Sequence, residues 1–342
     1  MSVEFVNQAA VQAAARLLEQ GELVAFPTET VYGLGADAEN PAAVARIYAA
    51  KGRPSNHPVI VHLAPEADIA YWSSSIPSEA HKLIAAFWPG PLTLILKRAA
   101  GIPDAVSGGQ DTIGLRCPSH PVAQALLREF KAGRGGVAAP SANKFGHVSP
   151  TTAQHVCDEF GADADSPIGA ILDGGQSEVG IESTIIDLSR MTTHGPVLLR
   201  PGHISREQIA RVIGVLPHSP DASAPRASGT LDAHYAPQTP VALIDAKDLK
   251  STLAKLAQAG KRTAIMHRQA QALPQAQSQI RMPEQEPGYA HDLYAALRAL
   301  DAAHADIILV EAPPDDDTWQ GVNDRLRRAA FDSAGILERL LA

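Results

Sequence analysis

The stretch AFPTETVYGLGADA, residues 25–38, decides how this chain is read. Residues 22–26, ELVAF, have the apolar and β-branched character of a strand. With no spacer, Pro27, Thr28, Glu29, Thr30 and Tyr32 follow, and then two glycines. Proline and threonine make ordinary turns by their own chemistry. A strand end dense in hydrogen-bonding groups is also what a ligand site looks like in an open α/β sheet, where ligands enter at one set of strand ends. The stretch alone leaves both readings standing.

Its surroundings show the same alternation of period. Val11, Ala14, Leu17 and Leu18 recur at helical spacing, and Gly21 ends that helix. Asn40-Pro41 reads as a cap with a first-turn proline before a helix carrying Val44, Ile47 and Tyr48. Strands are expected over 58–63, 92–96, 112–116, 136–139, 170–172 and 184–188. Helices are expected over 78–87 and 121–130, and after a cap at Ser149-Pro150. From 216 to 238 the pattern collapses into LPHSPDASAPRASGTLDAHYAPQ, which has no period and reads as a linker. Regularity then returns, with strands at 241–244, 262–266, 279–282 and 306–310 and helices between and after them. The reading is therefore a mixed α/β domain over 1–215, a linker over 216–238, and a small Rossmann-like α/β domain over 239–342 without a glycine-rich phosphate loop.

Composition narrows the class. The 342 residues suit two domains, 45% are hydrophobic and 19% charged, so a globular chain is expected. A net charge of −8 argues against a broad nucleic-acid-coating surface, although not against a local basic pocket. The two cysteines, Cys117 and Cys157, make neither a disulfide framework nor a zinc spacing. No signal peptide or membrane-length apolar run is visible, and the expectation is a soluble, cytoplasmic protein.

Polar residues gather repeatedly at strand ends of the first domain. Lys51, Arg53, Asn56 and His57 precede one strand, and His62 lies inside it. Thr112 and Arg116 lie on TIGLR, Ser141 and Asn143 on APSAN, Ser183 and Thr184 on GIEST, and Arg200 on VLLRPG. Each has a plain structural reading. KGRP suits a helix C-terminus whose cations meet the dipole, a lone histidine in a strand is usually a satisfied core residue, and APSAN reads as a capping turn. Arg116 is harder to dismiss, because a guanidinium in an apolar strand needs an anionic partner. Four cations (Lys51, Arg53, Arg116, Arg200) beside the hydroxyls of Thr30, Thr112, Ser141, Ser149 and Ser183 suit an anionic, nucleotide-like ligand. No hydrolase triad, HExxH motif or activated cysteine is apparent, so covalent catalysis is not indicated.

These same residues carry a resemblance. PTETVYGLGADA, KGRPSNHPVIVH, FWPGPLTLIL, GLRCP, APSANKFGHVSPT, GIESTIIDL and LLRPG occur in the order and approximate spacing of the YrdC-like family. With HYAP in the linker and a second domain, the chain resembles the long, two-domain form of that family. The resemblance is strong to about Arg200 and looser after Gln238. It implies a YrdC-like mixed twisted sheet and condensation of L-threonine, bicarbonate and ATP to threonylcarbamoyl-adenylate and pyrophosphate. A separate complex then passes the threonylcarbamoyl group to an adenosine beside the tRNA anticodon. By the family pattern, Thr30, His62, Arg116, Ala139 (through its backbone) and Ser183 hold threonine. Arg53, Thr112, Ser141, Ser149 and Arg200 hold ATP, with Asn143 beside Ser141, Lys51 near the phosphates and Tyr235 of HYAP closing on the nucleotide. The family often carries Asn four residues after the arginine matching Arg53, whereas this chain has His57 there. Mg²⁺ is expected on ATP without a dedicated protein ligand, and the linker is the expected lid. Two rivals stand beside this reading: an RNA-binding module, and a carbamoyl-transfer maturation domain of YrdC-like fold. Direct contact with tRNA is left open, and no membrane partner is expected.

Overall fold

The computed structural model describes residues 3–5, 7–161, 163, 165–231, 234–269, 271 and 273–342. The chain forms two compact units. One comprises Met1–Phe145 with Pro150–Thr230, the other Gly146–Ser149 with Leu231–Ala342. The aperiodic segment 216–238 is therefore not a separate element. Its residues up to Thr230 belong to the first unit and those from Leu231 to the second. Residues 232 and 233 of it lie outside the described residues.

The first unit is built on an eleven-stranded mixed sheet. Its strands follow the order Val3–Phe5, Ile168–Asp173, Leu23–Phe26, Gly33–Asp37, Gly136–Ala138, Ile60–Leu63, Thr112–Arg116, Leu92–Arg98, Thr184–Asp187 and Val197–Arg200, with Ser73–Ser75 paired to Leu92–Arg98. The opening stretch folds as a hairpin: Leu23–Phe26 returns antiparallel as Gly33–Asp37, with Phe26 opposite Gly33 and Val24 opposite Gly35. The second strand of that hairpin is not among the expected strands, because GLGAD has few strand formers. Its glycines answer to packing. A Cβ on Gly35 would lie 2.9 Å from both Phe26 and Val137 and 3.1 Å from the Val24 carbonyl, so only glycine lets the strands close here.

Local chemistry sets the helix ends. Asn40 accepts from the N–H groups of Ala42 and Ala43 at 3.1 and 3.3 Å, as its sequence context predicts, and Gly52 closes the helix Pro41–Lys51 in the left-handed region at φ 65°. The expected cap at Ser149-Pro150 is displaced. The next helix is Ala153–Phe160, and Thr152 caps it by accepting from His155 N–H at 3.2 Å.

The sheet faces differ. On one, Leu94, Leu96, Ile113, Leu115, Val61 and Leu63 enter the main apolar core with the helices. The opposite face alternates out of register with it, as the two-residue period of a strand requires. There Ile60, Ile95, Ile185, Val197 and Leu199 form a small apolar floor, and the residues covering it are Ala224 and Ala227 of segment 216–230.

The second unit has four parallel strands in the order Val241–Ile244, Ile307–Glu311, Thr263–His267 and Ser278–Arg281. Leu249, Leu253 and Leu256 lie at helical spacing on Leu249–Gln258 and bury against Ile265, Ile307 and Leu309.

Candidate active site

The hairpin loop 27–32 is itself ordered by hydroxyls. Thr28 Oγ1 donates to the Val31 carbonyl at 2.6 Å and lies 2.9 Å from Thr30 Oγ1. Tyr32 is fully buried, and its hydroxyl donates to the Gly175 carbonyl at 2.7 Å. The loop thus presents Glu29 and Thr30 to Arg116, which ends Thr112–Arg116 beyond the two intervening strands Gly136–Ala138 and Ile60–Leu63. Arg116 Nη2 lies 2.6 Å from Glu29 Oε1, Nη1 donates to Thr30 Oγ1 at 2.8 Å, and Nε donates to the Gly90 carbonyl at 3.3 Å. The second Glu29 oxygen accepts from Ser119 N–H at 3.0 Å. The anionic partner demanded by a buried guanidinium is therefore supplied first by the chain itself. The sequence reading gave that place to the ligand carboxylate and assigned Glu29 no role.

His62 pairs Arg116 in register across the parallel ladder. It is 3% exposed, and its Nδ1 is buried without a hydrogen-bond partner. Burial, and then the Arg116 charge, push its pKa down to about 3, so the imidazole is neutral at physiological pH. The Phe26 ring meets it edge-on at 6.1 Å. Ala139 lies beside this group with its N–H already donated to the Ile60 carbonyl at 2.9 Å, which leaves its carbonyl as the backbone group to offer.

Ser183 links this group to a second one. Its hydroxyl is 2.7 Å from that of Thr93, and its carbonyl accepts from Arg200 Nε and Nη2 at 3.1 and 2.9 Å. Arg200 Nη1 donates to the Ser228 carbonyl at 2.8 Å, and Arg53 Nη2 donates to Ser228 Oγ at 3.3 Å and to the Pro58 carbonyl at 2.9 Å. Both guanidiniums therefore converge on one residue of segment 216–230. Thr112 opens the strand that Arg116 closes. Both point to the same face, roughly 13 Å apart at the usual strand rise, with Gly114 between them on the Ile95 and Ile60 side.

His57 packs its ring 5.6 Å from Phe145, the same ring over which Arg53 lies at 5.8 Å. Burial, Arg53 and Arg226 lower its pKa, so it is a neutral neighbour of Arg53. Lys51 is held within the fold by two backbone carbonyls. Its amine is buried and donates to the carbonyl of Ser141 at 2.7 Å and to that of Asn143. It braces the PSAN turn that carries Ser141 and Asn143, and burial pulls its pKa well down. Ser149 and Tyr235 belong to the second unit. Tyr235 is 1% exposed, sits at φ 61°, and packs against Tyr294 at 5.9 Å with the Arg325 guanidinium 5.6 Å from its ring. The segment reads as a linker in sequence, yet its tyrosine is buried. Four further residues were given no site role: Glu29, Thr93, Phe145 and Ser228. The need of Arg116 for a carboxylate was the available signal for Glu29. Thr93, Phe145 and Ser228 carry none in sequence.

Comparison with known proteins agrees with this geometry. A family described as "Telomere recombination", with the short name Sua5/YciO/YrdC, matches residues 16–202, and one described as "Threonylcarbamoyl-AMP synthase, C-terminal domain" matches 204–331. A threonylcarbamoyl-AMP synthase of Pyrococcus abyssi is 36% identical over 96% of this chain and 96% of its own. One of Bacillus subtilis is 38% identical over 95% and 94%. The crystal structure of P. abyssi Sua5 complexed with L-threonine superposes with a TM-score of 0.87, at 35% identity over 96% of each chain. The chain belongs to the Sua5/YciO/YrdC family.

Proposed function

We propose that this chain is an L-threonylcarbamoyladenylate synthase, which condenses L-threonine, bicarbonate and ATP and releases pyrophosphate. The observation that carries the reading is the division of one sheet face into two polar groups. Around Arg116 are Thr30, His62, Ala139 and Ser183, suited to an amino acid. Arg53 and Arg200 meet at Ser228, with the Phe145 ring beside Arg53, an arrangement suited to a nucleotide triphosphate. The match to the C-terminal domain of threonylcarbamoyl-AMP synthases over 204–331 favours this reading over an RNA-binding module or a carbamoyl-transfer maturation domain.

The chemistry needs no protein nucleophile. The threonine amine, freed of its ammonium proton, attacks the carbon of bicarbonate, whose C–OH bond breaks with loss of water, or the carbon dioxide that bicarbonate yields by the same loss, to give a carbamate. A carbamate oxygen then attacks the α-phosphate, and pyrophosphate leaves. Arg116 binds the threonine carboxylate with N–H groups not used by its own chain. Neutral His62 offers a hydrogen bond without adding charge beside Arg116. Arg53 and Arg200 meet the phosphates, where charge shifts as pyrophosphate departs. Positioning of this kind contributes up to about 7–11 kcal/mol in favourable systems. Mg²⁺ would arrive on the ATP phosphates, held by phosphate oxygens and water. Among the described residues, no group of three or more His, Cys, Asp and Glu side chains is arranged to hold a metal ion. Segment 216–230, lying over the apolar floor with Ser228 on both arginines, is suited to excluding water from the carbamate and mixed anhydride.

The product of this reaction is an activated acyl group, and we assign its consumption to a transferase that passes it to tRNA. Among the described residues, no helix is long and apolar enough to cross a membrane; we assign the reaction to the cytoplasm. The test is pyrophosphate release by purified protein with ATP, Mg²⁺, L-threonine and bicarbonate, omitting each in turn. Release that requires all of them supports the reading, and release indifferent to threonine contradicts it.

A further inference from the structure

Arg116 and Glu29 are 4% and 3% exposed, and neither meets enough water to screen its charge. A guanidinium carries five N–H groups. Arg116 commits one to Glu29, one to Thr30 and one to the Gly90 carbonyl. Two remain, one on each terminal nitrogen, which is the complement for one carboxylate. Glu29 is fixed in turn. Its Oε2 accepts from Ser119 N–H at 3.0 Å, and its own carbonyl accepts from Val179 N–H at 2.7 Å. The glutamate therefore anchors Arg116 to two backbone segments outside its own strand.

The charge balance adds a second consequence. Arg116 and Glu29 together are neutral, so a zwitterionic amino acid leaves the subsite neutral. A phosphate there would leave a buried net negative charge, which is costly. The contacts of Arg53 and Arg200 include the carbonyls and hydroxyls of Pro58, Ser183 and Ser228.

We infer that Glu29 is the positioning residue of the amino-acid subsite: it orients Arg116 so that one carboxylate fits, and by cancelling the arginine charge it keeps phosphate out of that subsite. This inference rests on the function proposed above and deepens it.

The experiment measures pyrophosphate release for the wild-type chain, Glu29→Gln, Glu29→Asp, Arg116→Lys and the double variant Glu29→Gln/Arg116→Lys. In Glu29→Gln the threonine KM rises about tenfold or more, the scale of a lost charge-assisted hydrogen bond, while the ATP KM stays within about twofold. Inorganic phosphate becomes a competitive inhibitor against threonine in Glu29→Gln and is not one in the wild type. Glu29→Asp, which keeps the charge at a shorter reach, falls between the two and keeps phosphate out. In the Arg116→Lys background, Glu29→Gln adds little, because its effect passes through Arg116. An unchanged threonine KM, an equal rise for ATP, or fully additive effects would overturn the inference. If Glu29→Gln does not fold, Glu29→Asp alone decides it, since an unchanged threonine KM there contradicts the orienting role. A wild-type chain with no threonine-dependent pyrophosphate fails the proposed function instead, so the two failures are distinguishable.

Discussion

The two halves of the polar face are held by different kinds of partner. Around Arg116 every contact comes from the sheet and the loops that connect its strands: Glu29, Thr30 and Gly90. Around Arg53 and Arg200 one shared contact comes from Ser228, in a segment with no regular secondary structure that lies on the sheet through Ala224 and Ala227. The first half is fixed by a buried ion pair, which resists rearrangement. The second is held in part by a neutral hydroxyl and carbonyl, which an anionic phosphate outcompetes as acceptor. On the proposed function, the Arg116 half is built before its ligand arrives, and Ser228, in the strap formed by segment 216–230, is the contact that a bound phosphate would displace in the other half.

That contrast can be broken first at Arg116. Arg116→Lys replaces a planar fork by a point charge and forfeits the geometry shared with Glu29 and Thr30. The threonine KM is expected to rise on the order of tenfold or more, with a much smaller change for ATP. Initial rates with each substrate varied in turn check this, and unchanged threonine dependence in a folded variant removes Arg116 from the site. Arg53→Ala is the counterpart in the other half. It should raise the ATP KM about tenfold and leave threonine nearly untouched, and parallel rises for both substrates would mean that the halves are not separable.

The smallest expected effect belongs to the strap. Arg226 is exposed, its N–H donates to Gln110 Oε1 at 2.8 Å, and its side chain donates to the Gly108 carbonyl at 3.1 Å. Ligands beneath the strap add contacts and lower its opening population, so tryptic cleavage after Arg226 should slow roughly threefold or more with ATP and threonine present. Equal or faster cleavage would make the strap a passive connection.

Much of this was legible in the chain, and the exceptions have physical causes. Thr112–Arg116 and Val241–Ile244 match their sequence readings to the residue, because both are apolar runs between clear breakers. Gly33–Asp37 was missed because its strand character comes from neighbours: Phe26 and Val137 leave no room for side chains at Gly35. The cap moved from Ser149 to Thr152 because several hydroxyl residues in a row each satisfy the local rule, and tertiary placement chooses among them. Segment 216–238 has no period, so sequence could not divide it at Thr230 or foresee that Tyr235 is buried. In the site, residue types were readable and partners were not. Arg116 announced its need for an anion, but Glu29, 87 positions away, is brought to it only by the hairpin. Lys51 was readable as a cation by type, but its contact with the Ser141 carbonyl, 90 positions away, was not.

The central claim is that one face of one sheet joins an amino acid, one carbon from bicarbonate and a nucleotide. Its most direct test is to follow labelled bicarbonate carbon in the presence of ATP, Mg²⁺ and L-threonine, and to resolve the nucleotide products. The account predicts label in an acyl-adenylate that also contains threonine, formed together with pyrophosphate and lost when threonine is left out. Pyrophosphate formed with no labelled adenylate, or label incorporated without threonine, would contradict it.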